Sequence, residues 1–139
     1  MADCVFCSIL KGQLPASFVH EDDTSVAFLD VHPIHAGHTL VIPREHYADA
    51  ASCPPELAGH LFEVSTRLGP AVVRATDAHG FNVWTANGRE AGQDVFHLHL
   101  HILPRYREDT FGLRFPKGYP KEARRTDLDA MAGRVREML

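Results

Sequence analysis

The chain has 139 residues, 45% of them hydrophobic and 23% charged, which is typical of one globular domain with its own core. No apolar run approaches the roughly 18 residues of a membrane span, and the N-terminus lacks the basic and apolar segments of a secretion signal. The formal net charge is -4, and the part before Arg105 is acidic, which argues against binding to a nucleic-acid polymer. We expect a single cytoplasmic domain over residues 1–139 that binds neither a membrane nor a nucleic-acid polymer.

Two cysteines, Cys4 and Cys7, stand at the start of the chain, before a short predicted helix at residues 8–11. A Cys-x-x-Cys pair supplies half of a tetrahedral metal site, so the other ligands would have to come from elsewhere in the fold. A thioredoxin-like redox motif is the alternative, although no strand precedes the pair. Two thiols without a special role are the third interpretation.

Three strand-like segments follow and indicate an antiparallel meander. They are residues 17–21, 26–30 and 39–43, the first two separated by a predicted turn. Asp30 stands at the end of the second segment. A carboxylate at this position can cap the turn, or it can accept hydrogen bonds from paired hydroxyl groups, as on a ribose.

The hydrophobic period then changes. Apolar residues spaced four, three, four and four apart predict an amphipathic helix that begins at Pro54-Pro55 and ends near residues 79–80. Gly69-Pro70 predicts a kink or a break in it, because proline removes a helical hydrogen bond. We expect a strand at residues 81–85 and then a glycine-punctuated loop at residues 87–92, which can turn backbone N–H groups toward a phosphate.

The most informative stretch is residues 92–105, in which three histidines alternate with apolar residues. This period of two places His97, His99 and His101 on one face of a predicted β-strand, with neighbouring imidazoles about 6.6 Å apart. An imidazole is neutral near physiological pH, so it can serve as a nucleophile or as a metal ligand. His99 is the best candidate for a nucleophile because it has a possible partner on each side.

This run, preceded by Gly92-Gln93, resembles the signature of the histidine triad (HIT) family of nucleotide hydrolases and transferases. Asp30, His38 and His46 also fall where that family has such residues, so the resemblance covers about residues 4–106. Together with the order of elements, it implies an α+β, HIT-like fold: an antiparallel sheet of about five strands, one main crossing helix and a C-terminal helix. It also implies a homodimer.

The resemblance further implies a role for each site residue. It assigns a structural Zn²⁺ to two thiolates and two imidazoles, those of Cys4, Cys7, His46 and His97. His99 would attack the α-phosphorus of a purine nucleotide conjugate to form a covalent nucleotidyl-histidine, and His101 would contact the phosphate and the leaving group. The nucleotide would be bound by Asp30, Val31, Asn87, Gly92, Gln93, Asp94, His99 and His101.

Two positions depart from the family pattern. Ala86 stands where asparagine is usual, with Asn87 one position later, and Asp94 stands where serine or threonine is frequent. A carboxylate at position 94 would repel a phosphate that it faced, which leaves the backbone N–H as the contact there.

The expected function is a nucleotide hydrolase acting on a nucleoside phosphoramidate or a dinucleoside polyphosphate. The third triad position is His101 and not glutamine, which resembles the hydrolases more than the nucleotidyltransferases. A nucleotidyltransferase is still an alternative, as is a nucleotide-binding regulatory module with little turnover. A zinc-dependent hydrolase would instead use His97 and His99 together as metal ligands.

Overall fold

The computed structural model describes residues 4–139 and contains five strands and three α-helices in that part of the chain. All strand pairings are antiparallel, and the sheet order is β1-β2-β3-β5-β4. This architecture confirms the predicted α+β fold. In chain order the elements are α1 (Val5–Leu10), β1 (Phe18–Glu21), β2 (Ser25–Leu29), β3 (Thr39–Pro43), α2 (Pro55–Thr76), β4 (Gly80–Trp84), β5 (Leu100–Arg105) and α3 (Arg125–Glu137).

The chain divides into two compact units at Asp109. The first contains the whole sheet with α1 and α2, and the second contains α3. Three apolar residues of α3 and the one that directly follows it are exposed: Leu128, Met131, Val135 and Met138. The expectation of a single domain over residues 1–139 stays a prediction.

The middle of the sheet is buried on both faces, which explains why β2 and β3 are almost wholly apolar. On one face, α2 packs Leu61 and Val64 against side chains such as Val41 and Ile102. On the other face, α1 packs Phe6 and Ile9 against β2 and β3. The short helix α1 is therefore attached to the sheet by two buried apolar side chains, with partly buried Leu10 packed beside them.

Helix α2 continues through Pro70, so the predicted interruption there is wrong if read as a break. Gly69 is buried in α2, and the Phe81 side chain of β4 occupies the space that a Cβ atom at residue 69 would need. Packing of this kind, together with Leu61 and Val64, stabilises a helix that loses only one hydrogen bond at the proline. The helix ends at Thr76, earlier than predicted, because Asp77 adopts a left-handed conformation.

The ladder of β5 begins at Leu100, so of the three triad histidines only His101 lies on a regular strand. The prediction of one strand carrying all three is wrong in this respect. In the segment before the strand, the backbone N–H of Leu98 donates at 2.7 Å to the backbone O of Tyr47, which lies in the loop after β3. His97 and His99 are consequently buried in the segment just before the strand.

Candidate active site

A cluster of two thiols and two imidazoles joins α1, the segment after β3 and the segment before β5. Cys4 Sγ lies 3.5 Å from His97 Nδ1, Cys7 Sγ lies 3.4 Å from His46 Nδ1, and the two Nδ1 atoms are 3.1 Å apart. Bonds of about 2.3 Å to sulfur and 2.0–2.1 Å to nitrogen around a tetrahedral zinc would separate sulfur from nitrogen by about 3.6 Å, and nitrogen from nitrogen by about 3.4 Å. The four donors match this geometry closely.

Two further features fit a cation at this cluster. His97 is fully buried, and its Nε2–H donates to Pro43 O at 3.0 Å, which leaves the Nδ1 lone pair directed at the cysteines. Burial, together with the adjacent Cys4, raises the pKa of the Cys7 thiol. The thiolate form that a metal site requires would therefore need a bound cation to stabilise it. The residues present therefore fit a Cys₂His₂ metal site.

His99 has the opposite arrangement. Its Nδ1–H donates to His97 O at 2.7 Å, so Nε2 carries the lone pair. The ring is buried, and the edge of Phe6 packs on it with a centroid distance of 5.2 Å. An imidazole that donates through Nδ1 and directs Nε2 toward a ligand has the geometry of a nucleophile.

His101 is oriented by His38, a residue of the loop before β3. The backbone N–H of Ile34 donates to His38 Nδ1 at 3.2 Å, so the proton of His38 is on Nε2 and is donated to His101 Nδ1 at 2.9 Å. His101 must then carry its own proton on Nε2. His99 and His101 thus have opposite tautomers, although their rings are only 4.9 Å apart between centroids.

Burial favours the neutral forms of His101 and His38. It lowers the pKa of His101 to about 4, with smaller contributions from His99 and His38, and it also lowers the pKa of His38. Trp84 of β4 stacks on the His101 ring with a centroid distance of 4.5 Å and an interplanar angle of 6°. His101 is therefore a neutral hydrogen-bond donor at physiological pH.

A cavity of about 240 Å³ opens beside the two rings. Its far wall is apolar and comes from α1 and β2, including Val5, Ile9 and Phe28. Asp30 and Val31 line it just beyond the end of β2. Asp30 Oδ1 accepts the His32 N–H at 2.9 Å, so this carboxylate is oriented, and it retains lone pairs for a ligand.

The glycine-rich loop before β5 is braced internally. Gln93 is buried, its Oε1 accepts the Gly88 N–H at 2.8 Å, and its Nε2 donates to Ala48 O and Val95 O. Asn87 Oδ1 accepts the Ala50 N–H at 2.8 Å. Both side chains are thus engaged with the protein's own backbone, and neither belongs to the cavity wall among the described residues.

Gly92 and Asp94 flank Gln93. Gly92 has a φ of 92°, a left-handed conformation that favours glycine and ends the short 3₁₀ turn Arg89–Ala91. Asp94 lines the cavity, and its Oδ1 lies 3.7 Å from His99 Nε2. The loop therefore brings one charged side chain beside His99.

The HIT domain pattern matches residues 11–108 of this chain. The chain belongs to the histidine triad family. A HIT family protein from Bacillus anthracis has a similar structure, with a TM-score of 0.89 and 39% identity, over 99% of this chain and 97% of that one. A zinc-bound histidine triad protein from Mycobacterium smegmatis has a TM-score of 0.76 and 38% identity, over 84% of each chain.

Two relatives have names that state an activity. The adenosine 5'-monophosphoramidase of Candida albicans is 35% identical, over 99% of this chain and 90% of its own length. An adenylylsulfatase of Arabidopsis thaliana is 39% identical over 77% of this chain, which covers 54% of the plant protein. These relatives support nucleotide hydrolysis in general for this HIT protein.

The sequence did not reveal the roles of three side chains at this HIT site. His38 sets the tautomer of His101, Trp84 stacks on the His101 ring, and Phe6 packs on the His99 ring. His38 was noticed only as part of the family pattern, and neither Phe6 nor Trp84 was assigned a role from the sequence. None of the helices among residues 4–139 is long and apolar enough to cross a membrane.

Proposed function

We propose that this HIT protein is a hydrolase that cleaves a purine nucleotide conjugate at its α-phosphate through a covalent nucleotidyl-histidine. The observation that carries the proposal is the pair of opposite tautomers at one cavity, a bare Nε2 on His99 and a protonated Nε2 on His101. Displacement at phosphorus requires a nucleophile and a donor that stabilises the developing charge.

The reaction has two displacements. His99 Nε2 attacks the α-phosphorus, so a P–N bond forms and the bond from phosphorus to the leaving group breaks. During this step His101 Nε2–H donates a hydrogen bond to the phosphoryl group. A leaving amine takes one proton from solvent, whereas an anionic leaving group needs none. Water then attacks the phosphorus, the bond to His99 breaks, and one proton returns to solvent, which yields a nucleoside monophosphate and free His99.

The cavity favours a nucleoside conjugate. Its apolar wall, with Val5, Ile9 and Phe28, suits a flat base, and the Asp30 carboxylate just beyond β2 suits a ribose diol. For the loop, Gly92, Gln93 and Asp94 would contribute only backbone groups to phosphate binding, and Asn87 would act by bracing the loop on Ala50. The names of the two relatives support an adenosine nucleotide as the substrate.

Zinc at Cys4, Cys7, His46 and His97 would be structural. In this proposal the metal holds His97 and α1 in place, and the chemistry belongs to His99 and His101. A zinc-dependent hydrolase is less well supported because His97 directs Nδ1 at the thiols, while His99 is not part of that cluster. The cytoplasm is the location that we propose, because a Cys-x-x-Cys metal site needs reduced cysteines.

A homodimer is the assembly that we propose. Strand β4 lies at the edge of the sheet with one side unpaired by the described strands, and an open edge is a site for strand or helix contacts with a second copy. The resemblance to the HIT family adds to this inference.

The experiment that tests the mechanism is trapping of the covalent intermediate. A slowly hydrolysed adenosine phosphoramidate should leave one adenylyl group on the chain, seen by intact mass and mapped to the peptide that contains His99. His99→Ala should abolish the adduct and lower turnover by several powers of ten. Exposed His79 does not line the cavity, so His79→Ala is the matched control and should retain both.

Two results would contradict the proposal. Substantial turnover by folded His99→Ala protein would favour the zinc-dependent hydrolase, and tight nucleotide binding without any adduct would favour the regulatory module. Adding inorganic phosphate to the trapped adduct distinguishes the transferase, because a transferase would pass the adenylyl group to phosphate faster than to water.

A further inference from the structure

Asp94 introduces a negative charge next to the nucleophile. Its Oδ1 lies 3.7 Å from His99 Nε2 and also accepts the backbone N–H of Val95 at 2.9 Å, which limits the orientation of the carboxylate. The side chain is 83% exposed, so it stands at the mouth of the cavity and not in its interior. A substrate that reaches His99 must therefore pass close to this carboxylate.

No described lysine or arginine lines the same cavity to balance this charge. The charged side chains of its wall are the carboxylates of Asp30 and Asp94, accompanied by imidazoles. Burial lowers the pKa of His101 to about 4, so that ring is neutral at physiological pH. The mouth of the cavity is therefore electronegative.

Charge at the mouth must discriminate between leaving groups. A reacting phosphorus would stand about 3–3.5 Å from His99 Nε2, and Asp94 Oδ1 is 3.7 Å from that nitrogen, so the phosphorus would lie no more than about 7 Å from the carboxylate. This is inside the Debye length of about 8 Å, and the leaving group extends outward from the phosphorus at the edge of that range. The charge of the α-phosphate is common to all candidate substrates, and its repulsion by Asp94 cancels in any comparison between them. The charge on the leaving group is what differs.

We propose that Asp94 selects substrates by the charge of the leaving group, favouring nucleoside phosphoramidates whose leaving amine carries a second, cationic amino group over conjugates with an anionic leaving group. This inference rests on the proposed hydrolysis at the α-phosphate. It names the preferred substrate class: a nucleoside monophosphate joined through nitrogen to a diamine or to a comparable cationic side chain.

The test compares substrates that break the same bond. Adenosine 5'-monophosphate is linked through a P–N bond to 1,4-diaminobutane, to butylamine or to 4-aminobutyrate, so the remote group is cationic, neutral or anionic. The wild-type kcat/KM should fall in that order. The expected difference across the series is only about tenfold, because solvent screens the charge of an exposed carboxylate strongly. Raising the salt concentration should reduce this ratio.

Asp94→Asn removes the charge, and its side-chain oxygen can still accept the Val95 N–H. The variant should hydrolyse the three substrates within about twofold of one another, with no remaining dependence of the ratio on salt. Asp23→Asn is the matched control, because exposed Asp23 does not line the cavity, and it should retain the wild-type order. Equal melting temperatures would show that both variants fold.

An unchanged ratio in Asp94→Asn, or a wild-type preference for the anionic conjugate, would overturn the proposal. A carboxylate can also bind a metal ion that is held by a polyphosphate, and diadenosine tetraphosphate, assayed with and without Mg²⁺, tests this alternative. If Mg²⁺ makes this polyphosphate the best substrate and Asp94→Asn abolishes the effect, Asp94 binds a metal–polyphosphate and the charge selection is wrong. Failure of the proposed hydrolysis itself would look different, since the neutral butylamine conjugate would then give neither product nor adduct.

Discussion

If Cys4, Cys7, His46 and His97 hold the proposed zinc, removing it should weaken nucleoside binding, because one helix serves both sites. Helix α1 begins after Cys4, contains Cys7, and also provides Val5 and Ile9 to the cavity wall. The perturbation is the double substitution Cys4→Ser with Cys7→Ser, or removal of the metal from wild-type protein with a chelator. The expected effect is loss of the ordered α1 and, with it, of one wall of the cavity.

The size of the effect follows from the contacts of α1. Its two buried apolar side chains, Phe6 and Ile9, stabilise the docked helix by about 1.5–3 kcal/mol each. Ordering its six residues costs about 1–2 kcal/mol per residue, and a helix this short is not stable alone. The ordering cost is larger than the contribution from these two side chains, so we expect the proposed metal to contribute to holding the helix in place.

Two quantities should therefore change. Saturation of the site at about 100 times its dissociation constant stabilises the fold by about 2.7 kcal/mol, so metal removal should lower Tm by about 10 °C for a chain of this length. The Kd for adenosine monophosphate should rise by about tenfold or more, since loss of one apolar contact of 1.5–3 kcal/mol corresponds to that factor.

The assay is titration calorimetry with adenosine monophosphate, combined with hydrogen exchange of the amides of residues 5–12. Chelator added to the double-serine variant is the control and should have no further effect. An unchanged Kd in metal-free protein, with α1 amides still protected, would refute the coupling between the metal and the cavity wall, even if Tm falls.

Two further predictions concern acid stability and assembly. Burial lowers the pKa of His101 from 6.5 to about 4, so as the pH drops the unfolded chain binds a proton at this side chain before the folded protein does. The free energy of unfolding should therefore fall by about 3 kcal/mol between a pH above 6.5 and pH 4. Urea titrations at a series of pH values should show a smaller fall in His101→Asn, and equal falls would show that another group is responsible. Sedimentation velocity at micromolar concentration should show a dimer, and a monomer there would exclude the proposed homodimer.

The order and type of the elements could be predicted from the sequence because each depends on local periodicity. The alternation and the apolar runs gave β1, β2 and β3 to within a residue at each end, and the spacing of leucines and valines predicted α2. The continuation of α2 through Pro70 could not be predicted in this way. It depends on the fit between Gly69 and Phe81, two residues that come together only when α2 lies on the sheet.

For the site, the sequence by itself determined which residue types are available: three alternating histidines, a Cys-x-x-Cys pair and Asp30. Only the tertiary structure decided the different roles of the three imidazoles, because a tautomer depends on which partner each nitrogen meets. His97 meets Pro43 O, His99 meets His97 O, and His101 meets His38. Two of these three partners are more than 50 residues away along the chain, so no pattern within the motif could have indicated them.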